Sequence, residues 1–204
     1  MRKGIKSLML CIAWALLIMS CKQKTPQTYM SELESNEGLH RVVNAGGITY
    51  TFNILPPEAM AYKDSYDPER KVLDRTHYKN RIQELNSFIY VKIDHKVTDR
   101  SIAVLKFNSS SNAEYEQRVK YYEFHAAQDI RMICNGKEVA PVSYQYENHH
   151  DLSPVNSLMV AFPKCSEGEQ WQITFNDRGM NNLFIKAAFL SKDISDLPPM
   201  VLNY

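Results

Sequence analysis

The sequence predicts a mainly β fold, an antiparallel β-sandwich of immunoglobulin-like or related type that carries two or three helical insertions. Three observations predict it. Apolar and polar residues alternate along several short segments, most clearly at 48–54 and 171–175, and a period of two belongs to a strand with one buried face. Asn135-Gly136 stands between two such segments, and this pair tolerates the positive φ that a type I′ hairpin needs at both turn positions. Most of the strands are hairpin-spaced, with the helical patterns confined to the first half of the chain, which favours antiparallel sheets over a parallel βαβ array.

The elements follow in order. The folded region opens near His40, and Ile48, Tyr50, Phe52 and Ile54 form the apolar face of a first strand that Pro56-Pro57 ends. Residues 58–62 make a short helical turn, with Pro57 suited to a first helical position. Asp67-Pro68 offers a second helix start, and Tyr78, Ile82 and Leu85 recur at helical spacing behind it. Residues 88–94 form a strand with Ile89, Val91 and Ile93 on one face, and residues 101–107 repeat the theme. The polar run 108–112 is a loop, and Asn112 caps a helix that sets Tyr115, Val119 and Tyr122 on one side, the stripe of a helix that covers a sheet. After the Asn135-Gly136 hairpin, whose second strand is continued through 142–146, come strands at 158–162, 171–175 and 183–190. Residues 176–179 turn between the last two as antiparallel neighbours, and Asp196-Leu197-Pro198-Pro199 ends regular structure.

Ahead of this domain, Arg2, Lys3 and Lys6 precede an apolar run that ends at Ile18-Met19-Ser20-Cys21. A basic start, about a dozen apolar residues and a small residue before the cut are the anatomy of a secretory signal, too short for a comfortable membrane span. With cysteine at the cut, the stretch resembles the lipobox of bacterial lipoproteins. The resemblance implies that residues 1–20 are removed and that the Cys21 thiol is acylated, with palmitate-type chains holding the protein at a bilayer. Each buried methylene contributes roughly 0.8 kcal/mol, so several chains on one cysteine suffice. Residues 21–38 are polar and hold Pro26, which reads as a flexible tether, leaving 39–204 as a single globular domain. The domain is similar in general style to envelope lipoproteins of the Bacteroidota. In those proteins surface export goes with acidic residues just after the cysteine. Lys22-Gln23-Lys24 departs from that pattern, which points to the outer membrane with the domain facing the periplasm.

Charge and cysteine content narrow the function classes. The chain carries a net charge of +1, and removal of the three basic residues of the signal leaves a mature chain that is nearly neutral. A nucleic-acid partner would want a basic face to displace counterions, and none is indicated. Of four cysteines, Cys11 leaves with the signal and Cys21 takes the lipid. Cys134 and Cys165 remain, in a compartment where a disulfide persists. They are either bridged or buried as separate thiols, since spacing alone does not give their separation.

No catalytic motif is present: there is no G-x-S-x-G elbow, no S-x-x-K, no P-loop and no dinucleotide glycine pattern. No cofactor is implied. His149-His150-Asp151 is the one compact cluster of ligating types, but adjacent residues on an extended chain point apart, so a metal or acid-base site would have to combine Glu147, His149 and Asp151. His40, His77, His95 and His125 are scattered and read as surface or edge histidines. Glu58, Glu84 and Glu147 would make a glycosidase-like pair only across a suitably narrow cleft. Two functions follow. The first is a membrane-anchored, non-catalytic binding or structural module that meets an envelope protein or a glycan. The second is an envelope hydrolase or metal-binding protein built on Glu147, His149 and Asp151.

Overall fold

Inward-facing apolar side chains from alternate strand positions fill one shared interior, and this decides the architecture. The structure is a computed structural model that describes residues 25–148, 152–165 and 170–202. Strands β1 (His40–Ala45) and β2 (Ile48–Leu55) form a hairpin across Gly46-Gly47, whose φ angles of 58° and 81° meet the demand of so tight a connection. An insertion follows: β3 (Tyr66–Asp67) pairs with β4 (Val72–Leu73), and helices flank this small hairpin on either side. The chain then re-enters the sheet with β5 (Phe88–Val97) and continues through β6 (Ile130–Cys134), β7 (Lys137–Val139), β8 (Ser143–Glu147), β9 (Val155–Pro163), β10 (Gln170–Asp177) and β11 (Leu183–Leu190).

Two antiparallel sheets result, one ordered β1-β2-β5-β9-β8 and the other β11-β10-β6-β7. Tyr50, Phe52, Val91, Ile93, Leu158 and Val160 of the first share a single core with Ile130, Met132, Ile173, Phe175, Ile185 and Phe189 of the second. The fold is therefore a β-sandwich-like arrangement with helical insertions. Those helices are α1 (Pro26–Ser35), α2 (Pro57–Ser65), α3 (Arg75–Leu85), α4 (Asn112–Phe124) and the short α5 (Ser191–Ser195).

Four local expectations need correction. Residues 26–35 are not a flexible tether but a helix capped by the Thr25 hydroxyl, which accepts from the Thr28 N–H at 3.4 Å. Tyr29 and Leu33, one helical turn apart, give this segment its apolar stripe: Tyr29 is 2% exposed and Leu33 packs on the core. Residues 101–107 are not a strand. Val104 and Leu105 are both buried, which two successive strand residues on a one-sided sheet cannot be, and they sit in a 3₁₀ turn. The buried Arg118 guanidinium holds that turn by donating to the carbonyls of Leu105 at 2.9 Å and Phe107 at 2.6 Å. The second helix starts at Arg75 instead of at Asp67-Pro68, because the Asp74 carboxylate caps it through the His77 N–H at 2.9 Å. Finally, the strand after the hairpin ends at Val139, and the next one, β8, has changed sheets and pairs with β9.

The Asn135-Gly136 hairpin itself has φ of 50° and 74° at its two residues, with Cys134 paired to Lys137 across it. A β-carbon at Gly136 would meet no atom within 4 Å, so the cost of a larger residue there is backbone strain alone. Gly136→Val is expected to lower stability by roughly 1–2 kcal/mol. Urea denaturation of the two proteins checks this, and an unchanged midpoint would mean that the turn does not require left-handed backbone.

Candidate functional site

Two places in the molecule concentrate polar and aromatic chemistry, and they lie at opposite ends of the sandwich. Strand β10 runs between them: Asp177 closes one end and Trp171 stands at the other, about 20 Å away at the rise of an extended strand.

At the first end a carboxylate is sealed inside. Asp177 is 0% exposed and accepts from the Tyr50 hydroxyl at 2.8 Å and from the Tyr122 hydroxyl at 2.8 Å. The backbone N–H groups of Gly179 and Met180 also donate to it. Gly179 is required there because a β-carbon would come within 2.7 Å of the Tyr121 ring and 2.9 Å of the Tyr122 ring. Burial pushes the Asp177 carboxyl up to about 6, against the pull of its four donors. The same burial, with Asp177 beside them, raises the Tyr50 and Tyr122 phenols.

His95 lies in the same cluster and is 0% exposed, not a surface or edge residue. Its ring is stacked on Tyr50 with centroids 5.8 Å apart and packs against Tyr122 at 5.0 Å, while Tyr146 stacks on the far side of Tyr122 at 5.6 Å. Neither ring nitrogen of His95 has a hydrogen-bond partner, and burial alone pushes it down to about 3. The sequence carried a signal for this placement. Strand β5 continues past Asp94 to Val97, and the inward series Ile89, Val91, Ile93 therefore extends to His95 and Val97. Tyr50, His95, Tyr122 and Asp177 are fully buried, and Tyr146 is half-buried beside them.

The other end is open. A cleft of about 480 Å³ lies where β2 ends and β5 begins. Ile54, Phe88 and Ile89 come from that side, Trp171 from the opposite sheet, and Tyr29 of α1 and Ile194 of α5 close it laterally. Pro56-Pro57 and Pro198-Pro199 stiffen two of its edges. Trp171 is held in place by stacking on Phe189, with centroids 4.8 Å apart, and the Arg41 guanidinium lies 4.9 Å from the Phe189 centroid. Glu58 at the start of α2, Asn86 after α3 and Lys164 after β9 bring polar side chains to this cleft, as do Ser191 and Ser195 of α5. Lys164 Nζ donates to Asn86 Oδ1 at 2.8 Å. Volume, apolar lining and a few polar groups are the attributes of a ligand site.

Cys134 and Cys165 are joined as a disulfide, with Cα atoms 6.0 Å apart and a sequence separation of 31. Closing a loop of that length stabilises the fold by roughly 3–4 kcal/mol on the chain-entropy model. The bond ties β6 of one sheet to the end of β9 in the other. Cys134 is paired with Trp171, and Cys165 forms part of the cleft wall, so the bridge fixes that wall.

Of the other residues singled out from sequence, Glu147 is half-buried at the end of β8, opposite Ser157. Cys21, His149 and Asp151 lie outside the described residues. Glu84 is paired with Arg81 at 2.8 Å on the surface of α3 and does not line the cleft, so it forms no carboxylate pair with Glu58 there. Among the described residues, no group of three His, Cys, Asp or Glu side chains could hold a metal ion, and no helix is long and apolar enough to cross a membrane.

No family model matches the chain, and no curated protein matches it. Among solved structures, a DUF4426 family protein from Pseudomonas aeruginosa is similar at a TM-score of 0.31 and 9% identity, over 75% of this chain and 93% of that one. A likeness so distant does not bear on function.

The interior cluster makes stability depend on pH in a calculable way. His95 is depressed from 6.5 to about 3 in the fold, so below pH 6.5 the unfolded chain takes up a proton that the folded chain refuses. Stability falls by about 1.4 kcal/mol per pH unit over that window. Asp177 is raised from 3.8 to about 6; between those values the folded chain binds the extra proton, and stability rises as pH falls. The two oppose each other between about pH 6 and 4, and below that range the histidine acts without the aspartate's compensation. A His95→Phe variant keeps the ring stack and removes the protonation cost. Its stability relative to the parent is expected to grow by roughly 2 kcal/mol from pH 6.5 to 4.5, read by urea denaturation across that range. A difference that does not change with pH would count against a neutral, sealed His95.

Proposed function

We propose that this protein is a lipid-anchored envelope module that binds an apolar ligand in the cleft beside Trp171 and carries out no chemistry on it. The observation that carries the reading is the cleft itself: about 480 Å³ of mainly aromatic, aliphatic and proline-walled space, with Glu58, Asn86, Lys164 and two serines as polar side chains at its margin. Stiff walls favour binding because little conformational freedom is lost when the ligand enters. The neighbouring disulfide and the Trp171–Phe189–Arg41 stack supply that stiffness.

The anchor rests on the lipobox resemblance at Ile18-Met19-Ser20-Cys21, and the outer membrane, with the domain on its periplasmic side, is the location that goes with Lys22-Gln23-Lys24. The partner is then an envelope component, protein or glycan, whose apolar part enters the cleft; a nucleic acid is not expected.

Two measurements test the halves separately. In mass spectrometry of the N-terminus of protein taken from the native membrane, Cys21 is expected as the first residue carrying acyl chains, and Cys21→Ser is expected to abolish both cleavage and acylation. An unmodified Cys21 would refute the anchor. For the cleft, the purified protein is expected to bind the neutral apolar fluorophore N-phenyl-1-naphthylamine at one site, and Ser195→Trp, which places an indole in the cleft wall, is expected to weaken that binding by tenfold or more, a loss of about 1.4 kcal/mol. Equal affinity in the variant would place the fluorophore elsewhere and remove the support for a ligand cleft.

A further inference from the structure

Two opposite charges reach the cleft, and among the described residues neither meets an opposite charge. Glu58 and Lys164 both line it. Among the described residues neither has an ion-pair partner, and the one hydrogen bond of the Lys164 ammonium is to the Asn86 side-chain oxygen at 2.8 Å. Glu58 is half-buried, close enough to Tyr29 and Tyr78 for its charge to help raise both phenols. Charges in a partly apolar site are costly when unpaired and attract a complement of opposite sign strongly. An apolar ligand with a single negative head would satisfy Lys164 and be repelled by Glu58; one with a single positive head would meet the reverse.

We infer that the cleft takes a short apolar peptide with both termini free, a dipeptide or tripeptide whose ammonium meets Glu58, whose carboxylate meets Lys164 and Asn86, and whose side chains pack on Phe88, Ile194 and Leu197. The proposal deepens the ligand-cleft reading and rests on it. A cavity of about 480 Å³ falls in the range that encloses molecules of this size, and a single amino acid would leave much of it unfilled. The Asn86 amide and the Ser195 hydroxyl supply the polar contacts that a peptide group needs in an otherwise apolar wall.

Isothermal titration of the purified protein with four forms of one peptide tests this. The forms are leucyl-phenylalanine, its N-acetyl derivative, its C-terminal amide, and the doubly blocked compound, with the neutral fluorophore N-phenyl-1-naphthylamine as a reference probe. The free peptide is expected to bind at least tenfold more tightly than the doubly blocked one, the ratio that a charge-assisted hydrogen bond supplies. N-acetylation is expected to cost parent protein the same factor that Glu58→Gln costs with the free peptide, and to cost the Glu58→Gln variant nothing more. Amidation and Lys164→Met are expected to be linked in the same way. If the doubly blocked peptide binds as tightly as the free one, the charges are not read and the inference fails while the cleft stands. Binding of the fluorophore without any form of the peptide excludes peptides and likewise leaves the cleft. Binding of neither overturns the cleft reading on which the inference rests.

Discussion

A single buried carboxylate joins the three layers of this fold. Asp177 belongs to the four-stranded sheet, Tyr50 to the five-stranded sheet, and Tyr122 to the helix laid over them, and both hydroxyls end on the same carboxylate. A carboxylate removed from water is costly unless its lone pairs are filled, so the position of each layer is constrained by the need to keep its donor within reach. Substitution of either tyrosine would leave an interior acceptor short of a partner, which explains why two polar side chains hold places that apolar ones could fill more cheaply. The His95 ring packs against both Tyr50 and Tyr122, and all three residues are fully buried around this polar centre.

Much of this arrangement is legible from local pattern. Alternation identifies Tyr50, Phe52, Trp171, Ile173 and Phe175 as inward residues because a one-sided sheet leaves its period in the chain. The Asn135-Gly136 turn is legible because its backbone demand falls on two residues that few others can replace. Three features were written less plainly. The stripe of α1 amounts to Tyr29 and Leu33, too little to rise above a polar background. The turn at 104–106 depends on Arg118, a residue from the next helix. His95 follows from the alternation only once β5 is carried past the charged pair Lys92 and Asp94, which face outward and are ion-paired at 3.2 Å.

The cleft was not legible at all, and the reason is geometric. Its walls come from the ends of several strands, from the first and last helices, and from two proline pairs more than a hundred residues apart in sequence. No window of the chain contains enough of it to leave a pattern. Glu58, noticed in sequence only as an available carboxylate, acquires its interest from Lys164 and Trp171, which the fold brings to the same cleft. The histidine pair drew the eye in sequence for the opposite reason: proximity along the chain is easy to see and says little about convergence in space.

If Cys21 carries the proposed anchor, the helical state of residues 26–35 sets the length of the leash. With lipid on Cys21, four residue steps lead from the acylated residue to Thr25, which caps α1, and a fully extended chain spans at most about 14 Å over that distance. Tyr29, one turn further along, is already in the cleft wall. The binding cleft would then ride within about 20 Å of the acylated cysteine, instead of sweeping a large volume on a long flexible arm. A ligand released at or drawn from that bilayer would meet the cleft at an effective concentration far above its bulk value, so that modest intrinsic affinity would suffice for occupancy.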